Sequence, residues 1–165
     1  MSDLKTNETT TAANNDSRNK DIYHTIEEWD DEKLGLDVDI LRGIYAFGFE
    51  KPSPIQKKAL YPMTYKNKDN KNLDIIAQAQ SGTGKTGCFV VGTLQNIDIK
   101  KRETQALILA PTHELANQIF KVAQGIGKFS GAVMQLLVGG TSVDGDRHKL
   151  DTNPPHIAIG TPGRV

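Results

Sequence analysis

Apolar residues recur at helical spacing once the chain leaves its polar N-terminal stretch. Leu36, Ile40, Ile44 and Phe47 lie about one helical turn apart, and Gly48 follows them. This spacing predicts an amphipathic helix, and a glycine directly after the last apolar position is a common helix stop.

A second helix is predicted from Ser53, because serine caps helices well and Pro54 favours the first helical position. It would carry Ile55, Gln56 and Ala59. Residues 65–72 are rich in lysine and asparagine, which predicts a solvated loop.

Short apolar runs then alternate with amphipathic stretches. The runs have the length of strands and occupy residues 73–77, 106–110, 133–138 and 156–160. The stretches between them predict helices at 85–97 and 114–128. Continuous apolar strands that alternate with helices indicate an α/β fold, a parallel sheet with helices on both faces. Ligands of such sheets bind outside the carboxyl ends of the strands, so the loops after those ends are the candidate sites.

The chain of 165 residues is long enough for one compact domain with a sizeable core. Lysine plus arginine and aspartate plus glutamate both number 20, so bulk charge does not indicate a nucleic-acid partner. A single cysteine excludes an internal disulfide, and we expect a reducing, intracellular setting. No signal peptide and no membrane-spanning stretch is expected.

The loop after the first predicted strand carries a phosphate-binding pattern, with Ala79 in place of the usual first glycine. Its residues are Ala79, Gln80, Ser81, Gly82, Thr83, Gly84, Lys85 and Thr86. Glycines let backbone N–H groups curl around phosphate oxygens, and the following helix adds its positive end. Lys85 would reach the β- and γ-phosphates and Thr86 would bind Mg²⁺, so these two are the candidate catalytic residues. The alternative is a surface turn with a chance Gly-Lys-Thr.

An adenine-reading residue is predicted upstream. The Gln56 side chain both donates and accepts hydrogen bonds, as the N6 and N7 edge of adenine requires. The segment 48–56 (GFEKPSPIQ) resembles the Q motif of DEAD-box RNA helicases. This resemblance implies that Phe49, Lys51 and Gln56 belong to an ATP site and that Trp29 is the upstream aromatic residue that stacks on adenine. Trp29 stands about two residues further from Gly48 than the family pattern has it, and its alternative is packing on the first helix.

Three later loops also resemble family motifs, in the family's order. They are motif Ia (Pro111, Thr112, Glu114), the GG element (Gly139, Gly140) and motif Ib (Thr161, Pro162, Gly163, Arg164). The resemblance implies that they hold the backbone of single-stranded RNA, and helix N-termini, hydroxyls and an arginine suit phosphate contact. Singly, each is a common turn sequence. His113 stands where the family motif has arginine, which implies a weaker RNA contact or loop anchor.

The resemblance divides the chain into a disordered polar tail (1–28), a Q-motif region (29–56) and a partial RecA-like ATP-binding domain (57–165). It implies an ATP-dependent RNA helicase, a monomer that binds ATP, Mg²⁺ and single-stranded or short duplex RNA. Residues 42–52 and 76–81 look closest to the family's translation-initiation branch, with its exon-junction branch second. Initiation scaffold proteins would then be partners, in the cytoplasm or alternatively the nucleus.

The sequence contains no Asp-Glu-Ala-Asp run. That run orients the attacking water and supports Mg²⁺ in the family, so we expect the 165 residues alone to be inactive. The alternative function is therefore a nucleotide- and RNA-binding module without catalysis. A different phosphate-loop protein, such as a small nucleotide kinase, is less consistent with Gln56.

Overall fold

The computed structural model describes residues 22–68 and 70–165. The predicted polar tail lies outside the described residues as far as residue 21. Residues 22–28 differ from the prediction, because Ile26 is fully buried and its N–H donates to Lys57 O at 3.0 Å. An isolated apolar residue in a polar stretch gives no periodicity, and tertiary packing decides its place.

Five α-helices and three β-strands form the described part of the chain. The helices are α1 (Val38–Ala46), α2 (Pro54–Thr64), α3 (Lys85–Asn96), α4 (His113–Ile126) and α5 (Val143–Thr152), and a 3-10 turn at Gly127–Phe129 extends α4. The strands are β1 (Ala106–Leu109), β2 (Met134–Leu137) and β3 (Ile157–Gly160). None of the described helices is both long and apolar enough to cross a bilayer.

The helix starts follow local chemistry. Asp37 caps α1 by accepting from Asp39 N–H at 2.8 Å, and Gly48 adopts a φ of +96° just after the helix, as its predicted stop requires. Ser53 is the N-cap of α2 and Pro54 its first residue, which confirms that prediction. The polar helix α5 was not predicted, because none of its residues is buried and its sequence shows no apolar stripe.

All three strands are parallel, in the order β1-β3-β2. Every residue of β3 is buried, as expected for the central strand, and its register pairs Leu109 and Leu137 with Gly160 from either side. Helix α4 packs on one face, against Ile157 and Ile159. Helix α5 lies over the other face, where Gln135 Nε2 donates to Asp146 O at 3.4 Å. The predicted parallel sheet with helices on both faces is confirmed.

The strand predicted at residues 73–77 is absent from this sheet. Those residues have no regular structure, and Ile76 is fully exposed. A strand requires a neighbour for its backbone hydrogen bonds, and none of the described strands pairs with this segment. Apolar composition alone could not show whether such a neighbour exists.

Candidate nucleotide-binding and RNA-binding sites

The phosphate-loop candidate leads directly into α3, which begins at Lys85. Gly82 and Gly84 adopt φ values of +79° and +92°, the left-handed region that glycine occupies without steric cost. The first amides of a helix have no acceptor within it, so those of Lys85 and Thr86 are oriented for an anion. Thr86 is half-buried beside them.

The Lys85 ammonium lies inside the loop. It donates to Ala79 O at 2.6 Å and to Gln80 O, and the Thr83 hydroxyl donates to Gln80 O at 2.7 Å. Two backbone carbonyls therefore occupy the place of anionic oxygens around the cation. A phosphate group would compete with these carbonyls for Lys85, and its full charge would make the stronger hydrogen bonds.

Gln56 joins the Q-motif region to the phosphate loop. Its Oε1 accepts from Ser53 N–H at 2.7 Å, and its Nε2 donates to Gly84 O at 3.0 Å. The side chain is 3% exposed. A Cβ atom at Gly84 would lie 2.8 Å from both Gln56 Nε2 and Ser53 Oγ, so glycine is required there by close approach as well as by its φ. The two predicted motifs thus meet in space, 28 residues apart in sequence.

A cavity of about 420 Å³ opens where these motifs meet. Its wall is mostly apolar, as is usual for a cofactor site. The lining residues are Phe49, Lys51, Ser53, Pro54, Ile55, Gln56, Ala79, Gly82, Thr83 and Gly84. The hydroxyl of Ser53 is buried and has no hydrogen-bond partner within the described residues. An apolar cleft with a few convergent polar groups, beside a phosphate loop, fits a nucleotide.

Trp29, which the resemblance assigns to stacking on adenine, does not line this cavity. It is fully buried, and its ring lies beside that of Phe49, at 6.4 Å between centroids and 13° between planes. Phe49 is half-buried and lines the cavity itself. The longer spacing between Trp29 and Gly48 is the one sequence signal that pointed to this difference.

The three predicted RNA loops lie together at the carboxyl edge of the sheet. The Thr112 hydroxyl accepts from Leu115 N–H at 3.2 Å and caps α4, which places Pro111 and Glu114 at its start. His113 Nε2 accepts from Gly139 N–H at 3.3 Å, so motif Ia contacts the GG element.

Motif Ib adjoins β2. Thr161 N–H donates to Leu137 O at 3.1 Å, and Pro162 and Gly163 form the following turn. Arg164 does not extend into solvent. Its Nη2 donates to Asp146 Oδ2 at 2.7 Å and to Thr141 O at 2.8 Å, and its side chain is 12% exposed.

Thr141 and Asp146 are contacts that sequence reasoning did not find. The Thr141 hydroxyl also bonds Asp146 Oδ2, at 2.8 Å. Hydrogen bonds from Arg164 and from the Thr141 hydroxyl hold the pKa of the Asp146 carboxyl below its usual value of 3.8, against the opposing effect of burial. A lone aspartate in a polar helix carries no local pattern that identifies such a partner.

The described residues contain no group of three His, Cys, Asp or Glu side chains that could hold a metal ion. The Thr86 hydroxyl, beside the phosphate loop, stays the candidate ligand for Mg²⁺. Its companion ligands would then be phosphate oxygens and water, which is how Mg²⁺ is usually held at nucleotide sites.

Comparison with known proteins places these features in one family. Residues 53–165 match the family model described as DEAD/DEAH box helicase. Among solved structures, S. cerevisiae Dbp5 bound to RNA and ADP BeF3 is 37% identical with a TM-score of 0.71, over 84% of this chain and 33% of that one. A DEAD box protein from Methanococcus jannaschii is 30% identical with a TM-score of 0.73, over 85% of this chain and 36% of that one.

Mss116p bound to ssRNA and AMP-PNP is a further match, 32% identical with a TM-score of 0.70. The overlap covers 81% of this chain and 27% of that one. The chain therefore spans about a third of the length of the structures that it matches.

Proposed function

Because the chain belongs to the DEAD/DEAH box helicase family, we propose that it forms the ATP site and part of the RNA surface of an ATP-dependent RNA helicase. The observation that carries this proposal is the pair of hydrogen bonds from Gln56 that ties the Q-motif region to Gly84 beside the cavity. Relatives were solved with RNA and ADP BeF3 and with ssRNA and AMP-PNP, which supports both ligand classes.

Gln56 has capacity left for adenine. An amide oxygen accepts two hydrogen bonds and an amide NH₂ donates two, and one of each is used by Ser53 and Gly84. The two internal bonds fix the orientation of the amide, so that its remaining N–H donor and its remaining acceptor site can bond the same edge of adenine. Phe49 supplies the apolar surface beside them, in the role first predicted for Trp29.

The phosphates would replace the carbonyls that now hold Lys85. The ammonium would turn from Ala79 O and Gln80 O to the β- and γ-phosphates, and the amides of Gly82, Gly84 and Thr86 would surround them. Mg²⁺, held by Thr86 and the phosphates, would neutralise charge that develops on the transferred group. The residues that we infer to contact RNA are Pro111, Thr112, Glu114, Gly139, Gly140, Thr161, Pro162 and Gly163.

The test is nucleotide binding by the Lys85→Ala variant, measured by titration with a fluorescent ATP analogue. We expect affinity to fall by about a hundredfold or more, since a charge-assisted bond to each of two phosphates is lost at about 1.5–3 kcal/mol each. Lys58→Ala removes an exposed lysine outside the cavity and should bind as the unmodified protein does. Undiminished affinity in the Lys85 variant would show that the loop assignment is wrong.

We further propose a role in translation initiation, supported by the resemblance of residues 42–52 and 76–81 to that branch of the family. The protein would then be cytoplasmic and bound to initiation scaffold proteins, whereas an exon-junction relative would be nuclear. Imaging of the tagged protein together with sedimentation of initiation complexes tests this. A protein confined to the nucleus and absent from initiation complexes would contradict it.

The second candidate function is binding without hydrolysis. It is favoured for the 165 residues themselves by the absence of an Asp-Glu-Ala-Asp run from their sequence. Phosphate release by the purified chain, with ATP and RNA both present, separates the two candidates. Turnover that Lys85→Ala abolishes would exclude this alternative.

A further inference from the structure

Arg164 ends a loop assigned to RNA, yet its Nη2 and Nε groups donate their hydrogen bonds within the protein. Nη2 donates to Thr141 O at 2.8 Å, to Thr141 Oγ1 at 3.0 Å and to Asp146 Oδ2 at 2.7 Å. Nε donates to Asp146 Oδ2 at 3.3 Å. One carboxylate and one turn therefore receive every hydrogen bond that the structure shows for this side chain.

The pair is also shielded from solvent. The side chains of Arg164 and Asp146 are 12% and 14% exposed. Removing one member of a desolvated ion pair leaves the other charge uncompensated, so the pair resists opening. Asp146 also cancels the charge that Arg164 would offer to a phosphate. A direct RNA contact through Nη2 or Nε would require Arg164 to give up these bonds to Asp146 and Thr141.

The residue held by Arg164 follows the GG element directly. Gly140 has a φ of +92°, and Thr141 continues the turn. On the N-terminal side of Gly140, Gly139 N–H donates to His113 Nε2 at 3.3 Å. The N–H of Gly140 has no acceptor among the described residues, so it is the donor of the GG element that stays available for a phosphate oxygen.

We propose that Arg164 is a positioning residue, which with Asp146 holds the Thr141 turn so that Gly140 N–H faces the RNA backbone. His113 fixes the same loop from the Gly139 side, where a Cβ at position 139 would lie 2.9 Å from His113 Cε1. Arg164 itself makes no phosphate contact. This inference rests on the proposed RNA-binding function.

The experiment measures binding of a fluorescein-labelled single-stranded oligouridine in the presence of ADP and beryllium fluoride, over a series of salt concentrations. It uses the whole protein that carries this chain. Arg164→Ala and Asp146→Ala should each weaken binding by about tenfold at every salt concentration, with the double variant no weaker than the weaker single one. The slope of log affinity against log salt should be unchanged, because neither variant loses a phosphate contact. A direct phosphate contact on a single strand contributes about 0.7 to that slope.

Matched variants complete the design. Arg164→Lys keeps the charge but loses the planar set of guanidinium N–H donors, and it should bind RNA as poorly as Arg164→Ala. Arg147→Ala removes an exposed cation from α5, the helix that carries Asp146, and should bind RNA nearly as the unmodified protein does. Thr141→Val, at an exposed position, removes only a hydroxyl and serves if the Arg164 variants fold poorly; it should weaken binding without a change of slope.

The opposite pattern would overturn the inference while leaving the function intact. In that pattern Arg164→Ala lowers the slope by about 0.7, Arg164→Lys restores binding, and Asp146→Ala tightens it by freeing the arginine. An unmodified protein that binds the fluorescent ATP analogue but no oligouridine would contradict the proposed RNA function, and the positioning role with it.

Discussion

At the scale of single residues, Gln56 connects the Q-motif region to the phosphate loop. Its amide holds Ser53 N–H on one side and Gly84 O on the other. Gly84 O also accepts from Cys88 N–H at 3.0 Å, within the first turn of α3. A change at Gln56 can therefore reach the first turn of α3 through Gly84.

We expect Gln56→Ala to lower affinity for ATP and to reduce the preference for ATP over GTP on the order of tenfold, the effect of losing about 1.4 kcal/mol of base-edge hydrogen bonding. Parallel titrations with fluorescent ATP and GTP analogues measure this. Gln124→Ala, at an exposed position of α4, is the matched control. An unchanged preference would mean that Gln56 does not contact the base.

Residue roles were only partly predictable. The sequence assigned Gln56 and Lys85 to one nucleotide site, and the structure brings their two motifs together, because each motif depends on local backbone geometry and fixed spacing. The surroundings of Trp29 and Arg164 were not predictable, since the sequence does not show whether a side chain faces a ligand or another residue. Their orientation depends on Phe49 and Asp146, which are distant in sequence.

At the scale of elements, α1 and α4 touch backbone to backbone through a glycine. A Cβ on Gly43 would lie 1.8 Å from Ile126 O, at the end of α4. Such a contact leaves no room for any side chain, and it draws Ile40 and Ile44 of α1 into the core with Ile126. The position of the whole Q-motif region against the sheet domain depends on this close approach.

Gly43→Ala should destabilise the protein by about 1–3 kcal/mol or more, because backbone atoms must move to admit the methyl group. Gly145→Ala, in α5, is the matched control: its Cβ would meet only ordinary contacts from 3.4 Å, so better helix propensity should raise stability by up to about 1 kcal/mol. Urea unfolding of both variants measures the difference. A Gly43 variant as stable as the Gly145 one would contradict the observed helix contact.

Elements with capping signals and buried faces were predicted well, since Ser53, Pro54 and Gly48 act on the backbone nearby. The sheet order was not predictable, because β3 enters between β1 and β2 through pairings that no local pattern encodes. The segment 73–77 also shows that strand pairing is not encoded locally. Its apolar residues have strand composition, but without a paired neighbour they form no strand.

At the scale of the whole molecule, both candidate sites depend on one framework. Helix α3 begins at the phosphate loop and packs on α2 and α4, and α4 begins at the first RNA loop. Ligand binding at one end of α3 should therefore stabilise the core through which both loops are held. A probe inside that core would report this stabilisation without touching either ligand.

Cys88 provides such a probe, because it is the only cysteine and lies on α3, three residues beyond Lys85. It is 4% exposed, and its Sγ contacts Met63 of α2. Burial raises the pKa of its thiol from 9.0 to about 12, which lowers the thiolate fraction at pH 8 about a thousandfold. We expect iodoacetamide to label Cys88 slowly in the folded protein and rapidly in urea.

ATP should slow the labelling of Cys88 further, by a factor that approaches the ATP concentration divided by its dissociation constant. In Lys85→Ala the protection by ATP should vanish while slow labelling persists. Equal labelling rates in the folded and unfolded protein would contradict the burial of Cys88, and protection by ATP in the Lys85 variant would place the nucleotide elsewhere.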